Sequence, residues 1–155
     1  MAKDQDHIKI IAENRKARHD YFIEDQFEAG LVLKGTEVKS LRQGRANLKD
    51  SYAKIKKGEL WVYQMHISPY PFAYYDNHDP VRIRKLLLHS YEIRKLYGKL
   101  NERGYALIPL RLYFRDGKVK MLVGLARGKR QYDKRESMRR RDQKRDLDRI
   151  KKDYK

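Results

Sequence analysis

With 155 residues, the chain is long enough for one domain with a real core and too short for two comfortable ones. Its formal charge is +17 with a pI near 10.0, and it has no Cys, which excludes disulfides, thiolate zinc sites and Cys nucleophiles and suits a reducing compartment. Charge of that size attracts polyanions, either nucleic acid or an anionic membrane surface, or else marks a generically basic protein with no single partner.

The excess is spread along the chain: residues 127–155 hold 14 basic and 6 acidic residues, net +8, which leaves +9 for the rest. Composition predicts three parts, a flexible polar arm over 1–18, a folded body over 19–126 and a basic tail over 127–155. The apolar run Ile8 to Ile11 is only four residues long and is interrupted by Lys9, so no signal peptide or membrane span is expected and the protein reads as cytoplasmic.

In chain order, "YFIEDQFEAGLVLKG" reads as two β segments, with Gly30 marking a bulge or bend and Gly35 a stop. "TEVKSLRQG" predicts a short helix capped by Thr36 and ended by Gly44, with Val38 and Leu41 on one face. "SYAKIKKGELWVYQMHI" is a hairpin pattern turning at Lys57-Gly58. The loop "SPYPFAYYDNHDP" gathers Tyr70, Phe72, Tyr74 and Tyr75 among three prolines; such rings either stack on unpaired bases or cover a barrel end. "SYEIRKLYGKLNERG" predicts a helix capped by Ser90, with Ile93, Leu96, Tyr97 and Leu100 on one stripe and Gly104 beyond its end. "YALIPLRLYFRDGKVKMLVGLA" gives two strands around Asp116-Gly117, with Pro109 pointing to an edge or a bulge. About six short strands and two helices describe an α+β, mainly β fold, a small closed or partly closed antiparallel barrel. The tail carries only the narrow stripe Leu147, Ile150 and Tyr154, so it is expected to be disordered when free and helical on a polyanion.

Enzyme chemistry is not expected. The five His residues lack the helical i, i+4 spacing of a zinc pair, and no Cys completes a set. The dipeptides His19-Asp20 and His78-Asp79 suggest a metal-dependent nuclease only weakly, since neighbouring strand residues point to opposite faces. No phosphate loop, dinucleotide glycine pattern or nucleophile elbow occurs, so neither a catalytic residue, a metal nor a cofactor is assigned.

The segment "FEAGLVLKGTEVKSLRQGRANLKDSYAKI", Phe27 to Ile55, is more specific than any of these signals. With "NRKARHDYFI" before it, "HDPVRIRKLLLH" after it and "GLARGKRQYDKR" near the end, it resembles the small protein B family, whose members are also called SsrA-binding proteins. The resemblance runs from about Asn14 to Arg145 and keeps the four motifs in the family's order. It implies an oligonucleotide-binding-type (OB-type) barrel with flanking helices, which binds the tRNA-like domain of transfer-messenger RNA. It further implies a role in trans-translation, delivering that RNA with elongation factor Tu and GTP to stalled ribosomes. The tail would enter the empty mRNA channel, and the protein is expected to act as a monomer.

On that resemblance, Asn14, Glu28, Leu87 and Gly128 match RNA-contacting positions, and Asp133, Lys134 and Arg135 match the family's tail motif. Leu87, Glu28 and Gly128 also have a physical rationale. One Leu of Leu86-Leu87-Leu88 can face outward and pack on a splayed base. Glu28 on a basic face cannot serve phosphate attraction but can accept from base amino groups. Gly128 permits close backbone approach where body meets tail. Arg84, Lys85, Lys129 and Arg130 are then the expected phosphate contacts, and Tyr132 is placed to stack on a decoding-centre base.

Overall fold

The computed structural model describes residues 7–102, 104–129 and 143–149. In chain order the elements are β1 (Ile8–Glu13), α1 (Arg15–Asp20), β2 (Tyr21–Leu31), α2 (Gly35–Arg42), β3 (Ala46–Asn47), β4 (Tyr52–Lys56), β5 (Glu59–Tyr63), β6 (His66–Ile67), β7 (Arg84–Leu87), α3 (Ser90–Leu100), β8 (Tyr105–Arg115) and β9 (Lys118–Gly128). A further helix, α4 (residues 143–149), has every position exposed.

Seven strands form one antiparallel sheet in the order β1-β8-β4-β5-β7-β2-β9, and β8 also pairs with β9, so the strands from β8 to β9 make a ring. β3 and β6 form a separate two-stranded ribbon. This is the mainly β, barrel-like architecture expected from the strand spacing, in the OB-like form with flanking helices that the family resemblance implies. The two hairpins turn where the sequence places them. Lys57 and Gly58 have φ of 53° and 74°, and Asp116 and Gly117 have 50° and 78°. Two successive positive φ values match the right-handed twist of the flanking strands, and the second position in each turn is glycine.

Inside the ring, one core holds Ala29, Leu60, Val62, Leu86, Leu112, Met121 and Val123, closed at its ends by Leu41 of α2 and Leu96 of α3. A smaller core lies outside it, where Ala17 of α1 packs on Ile108, Leu110 and Ala126. That second core depends on a bulge. The β8–β9 register shifts between Pro109 and Arg111, because Pro109 has no N–H to offer the ladder. Leu110, the extra residue, lies over Gly124: a Cβ built there would meet Leu110 Cδ1 at 2.8 Å.

Several expectations require correction. From Ile8 onward the predicted flexible arm is strand and helix: Ile8 pairs with Arg115 and Glu13 with Arg111. β4 meets β8 in register only at Ala53–Leu107, so the edge of β8 beyond its bulge is available to β1. "YFIEDQFEAGL" is one strand, and its bulge falls between Ile23 and Asp25 instead of at Gly30. The N-caps are Lys34 and His89, with Thr36 and Ser90 already inside their helices. β1, β3, β6 and β7 were not anticipated.

Candidate nucleic-acid interface

Strand register assembles the site. Tyr113 of β8 pairs with Lys120 of β9, Lys120 with Gly30 of β2, and Gly30 with Leu87 of β7. These four residues form one row across four strands. Within β7, Arg84 and Leu86 turn inward while Lys85 and Leu87 turn outward, which leaves Leu87 48 % exposed. Gly30 has no side chain, so its neighbours approach over it: a Cβ there would stand 3.5 Å from Leu87 Cβ and 3.9 Å from Lys120 Nζ. Glu28, two residues away on the same strand face, completes the wall. The resulting open cavity of about 400 Å³ is lined by Glu28, Gly30, Leu87, Leu88, His89, Glu92 and Lys120. Glu28 and Leu87, 59 positions apart in the chain, thus share one site.

Glu28 is held in a defined state. Its Oε2 accepts from the Tyr113 hydroxyl at 2.5 Å and from Arg115 Nη1 at 2.6 Å. Burial by itself raises the carboxyl pKa, but those two hydrogen bonds and the charges of Arg115 and Lys120 outweigh it, so the pKa lies below the usual Glu value. Burial, then the bond and charge of Glu28, push the Tyr113 hydroxyl up to about 12. Both of these donors fall on the same carboxylate oxygen, Oε2.

The second group of site residues lies at the far end of the β2–β9 pair. Gly128 pairs with Tyr21, and its backbone is open except for the Tyr21 ring, 3.9 Å from where a Cβ would sit. Lys129 donates its N–H to Asp20 O at 2.9 Å, and its Nζ stands 4.8 Å from the centre of the Phe22 ring. A cation over a ring is held without being neutralised, which keeps Lys129 available to phosphate. Lys85 reaches Glu59 at 3.1 Å in a partly exposed pair of the kind that contributes little and opens readily.

Arg84 is not a phosphate contact. It is fully buried, and its guanidinium is bound by Glu37 Oε2 and Met65 O, with Pro80 O accepting at 3.1 Å. Glu37, also fully buried, accepts in addition from Arg82 at 2.5 Å and from the Lys34 N–H at 2.8 Å. Arg84 therefore ties α2 to β7 from within. Asn14 is likewise engaged by the protein. Its Oδ1 caps α1 by accepting from Ala17 N at 3.2 Å, and its Nδ2 donates to Pro109 O at 3.0 Å. Its own N–H donates to Leu110 O at 2.8 Å. The side chain ties α1 to the β8 bulge. Arg130, Tyr132, Asp133, Lys134 and Arg135 lie outside the described residues.

Gly30, Tyr113, Arg115 and Lys120 belong to the site and escaped the sequence reading. The Asp116-Gly117 turn contained the signal: a two-residue turn fixes the pairing of its strands and puts Tyr113 opposite Lys120. The His-Asp dipeptides do not come together. His78 is buried between Thr36 Oγ1 and Ile67 O, both at 2.9 Å, whereas His19 pairs with Asp20 on the surface. Among the described residues no three His, Asp or Glu side chains are placed to hold a metal ion, and no helix is long and apolar enough to cross a membrane.

A basic chain folded as an OB-like ring of strands, with an apolar side chain and an ionised carboxylate sharing an open cavity, has the build of a nucleic-acid-binding protein. A family model described as "SmpB protein" matches residues 11–153, and the chain belongs to that family. It is 61 % identical over 144 residues to the SsrA-binding protein of Syntrophobacter fumaroxidans, covering 93 % of this chain and 89 % of that one. It is also 61 % identical over 139 residues to the SsrA-binding protein of Geotalea uraniireducens, covering 90 % and 92 %. A solved structure described as "tmRNA-SmpB: a journey to the center of the bacterial ribosome" has a chain 51 % identical to this one. The two superpose with a TM-score of 0.66 over 83 % of this chain and 94 % of that one. SmpB proteins are RNA-binding proteins, not enzymes.

Proposed function

We propose that this protein binds the tRNA-like domain of transfer-messenger RNA and works with it on stalled ribosomes in trans-translation. One observation carries the reading: Glu28 and Leu87 share the wall of a single open cavity beside Lys120. A ring-sized apolar contact next to a fixed acceptor suits an unstacked base of a folded RNA loop, where RNA sequence is read. Gly128 and Lys129 extend the contact along β9 towards the tail.

In this reading the body selects the RNA and the tail serves the ribosome. Elongation factor Tu with GTP is engaged through the RNA, and one copy of the chain acts per complex. The tail enters the vacant mRNA channel, where Tyr132 stacks on a decoding-centre base and Asp133, Lys134 and Arg135 set its path. A segment charged on nearly every face suits a channel walled by ribosomal RNA. Action on ribosomes places the protein in the bacterial cytoplasm.

The test is a competition experiment at near-physiological salt. Labelled tRNA-like domain is challenged with excess bulk tRNA, using the full chain and a chain ending at Gln131. Tight binding by both that survives the competitor is the expected result, with tagging abolished in the shortened chain. Equal competition by bulk tRNA, or loss of affinity on shortening comparable to Glu28→Ala, would reduce the protein to a nonspecific polyanion binder.

A further inference from the structure

The outer face of β4 and β5 carries a second pattern that the Glu28 site does not use. Cross-strand pairing sets Tyr52 against Tyr63 and Lys54 against Trp61, and on the other side Trp61 lies against Lys85 of β7. The Tyr52 and Tyr63 rings stack with centres 5.3 Å apart and an interplanar angle of 6°. Lys54 Nζ lies 5.3 Å from the centre of the Tyr52 ring. Beside them is an open cavity of about 410 Å³ lined by Trp61, Tyr63, Ile83, Lys56, Lys57 and Glu59. That volume falls in the ~300–1,000 Å³ range of sites that hold small ligands. Ile83 on its rim is half-exposed.

Aromatic faces interleaved with lysines, on one side of a sheet, are the arrangement that holds an unpaired strand: bases stack on the rings and lysines track the phosphates. A duplex is a poor occupant, because its bases are already stacked and its grooves do not present ring faces to a flat sheet. An acidic protein segment would use the lysines but leave Trp61 and Tyr63 without a planar partner. We propose that this face is a separate RNA subsite that takes a short unpaired segment, with one base stacked in the cavity against Trp61 and Tyr63 and with Lys54, Lys56 and Lys57 on its phosphates. The inference rests on the proposed function only in taking RNA as the partner. The two cavities share no lining residue: Lys85 and Leu87 both turn outward from β7, but Lys85 pairs with Trp61 of β5 on one side and Leu87 with Gly30 of β2 on the other.

Trp61 is the chain's one Trp, so its emission reports on this face alone. The full chain is titrated with an eight-nucleotide oligo(U), and Trp61 emission is followed together with the anisotropy of a labelled copy. Saturable quenching is expected. Three lysine–phosphate contacts give a slope of log affinity on log salt of about −2, at ~0.7 per contact on a single strand. Tyr63→Ala weakens the binding read by the quench about tenfold, within the range set by loss of one stacked base, and the double change Lys54→Gln with Lys57→Gln weakens it and reduces the salt slope by about 1.4. Glu28→Ala leaves it within about twofold while weakening binding of the tRNA-like domain.

Oligo(U) that binds by anisotropy with Trp61 emission unchanged, or that does not bind at all, overturns the proposal. So does a quench that disappears in Glu28→Ala, since one site would then serve both RNAs. The unsubstituted chain supplies the main readout, so a variant that folds poorly does not rescue or sink the idea. If bulk tRNA displaces the tRNA-like domain while the quench persists, the proposed function fails and this inference stands.

Discussion

Arg84→Ala separates a buried structural role from RNA contact. In the native fold the guanidinium is fully buried and shared between Glu37, Met65 O and Pro80 O. Removing one partner of a buried ion pair costs about 3–5 kcal/mol, because the remaining charge is stranded. Here Glu37 retains Arg82 at 2.5 Å and the Lys34 N–H at 2.8 Å, which places the effect at the lower end, near ~3 kcal/mol. Against a total stability of about 5–15 kcal/mol this is a large fraction. At about 2–4 °C per kcal/mol for a chain of this size, the melting temperature falls by about 6–12 °C. Urea unfolding followed by circular dichroism gives the free energy, and binding to the tRNA-like domain is measured well below the melting point. The expected pattern is a large loss of stability with affinity changed less than about threefold. A variant that unfolds within about 1 kcal/mol of the parent yet loses tenfold in affinity would refute the assignment and return Arg84 to the RNA surface.

Three further outcomes follow from packing and charge. Burial raises the Glu37 carboxyl, but hydrogen bonds from Arg82, the Lys34 N–H and Arg84 outweigh it, so its folded pKa lies below the ordinary 4.5. That contribution to stability is complete above the unfolded pKa and is lost as pH falls below 4.5 through the folded value; Glu37→Gln should flatten this part of an acid unfolding profile. Gly124→Ala forces a methyl to 2.8 Å from Leu110 Cδ1 and 3.3 Å from Ile23 Cγ2, and should cost about 1–3 kcal/mol in urea unfolding. Glu28→Gln removes the charge beside Tyr113 but not the burial that contributes most, so the hydroxyl should titrate below its native value of about 12 and stay raised, seen by NMR of ring-labelled Tyr with Tyr113→Phe for assignment.

The parts of the fold that sequence revealed are those governed by local chemistry. Lys57-Gly58 and Asp116-Gly117 announce their hairpins because two positive φ values in succession have few solutions. Pro109 announces the bulge because a missing N–H breaks the ladder wherever it stands. Arg84 was misjudged for the opposite reason. In "RIRKLLLH" it looks like its neighbours Arg82 and Lys85, and what buries it is Glu37, 47 positions earlier. Once β7 is recognised as a strand, period two decides the matter: Arg84 shares its face with buried Leu86, and Leu87 falls outside. β1 was missed because Ile8, Lys9, Ile10 and Ile11 do not alternate, and only the unpaired edge of β8 gives them a partner. Glu28 and Leu87 came from family resemblance. Their meeting over Gly30 depends on three strand registers that no local pattern contains.

Specificity is the harder problem for a chain of charge +17, because attraction to phosphate is available to every RNA. Discrimination requires a group that favours one RNA and penalises the others. Under the proposed function Glu28 supplies both: Tyr113 and Arg115 donate to its ionised carboxylate, which would repel a phosphate that lacks the matching base and accept from a base amino group. Glu28→Gln keeps the shape, removes the repulsion and exchanges a charged acceptor for a neutral one. Bulk tRNA should therefore bind the variant slightly more tightly, and the tRNA-like domain more weakly by about 1–3 kcal/mol, the scale of one lost base contact. The competition ratio then falls by about fivefold or more while binding of bulk tRNA barely changes. Equal weakening for both RNAs would mean that Glu28 serves the protein's own fold through Tyr113 and Arg115.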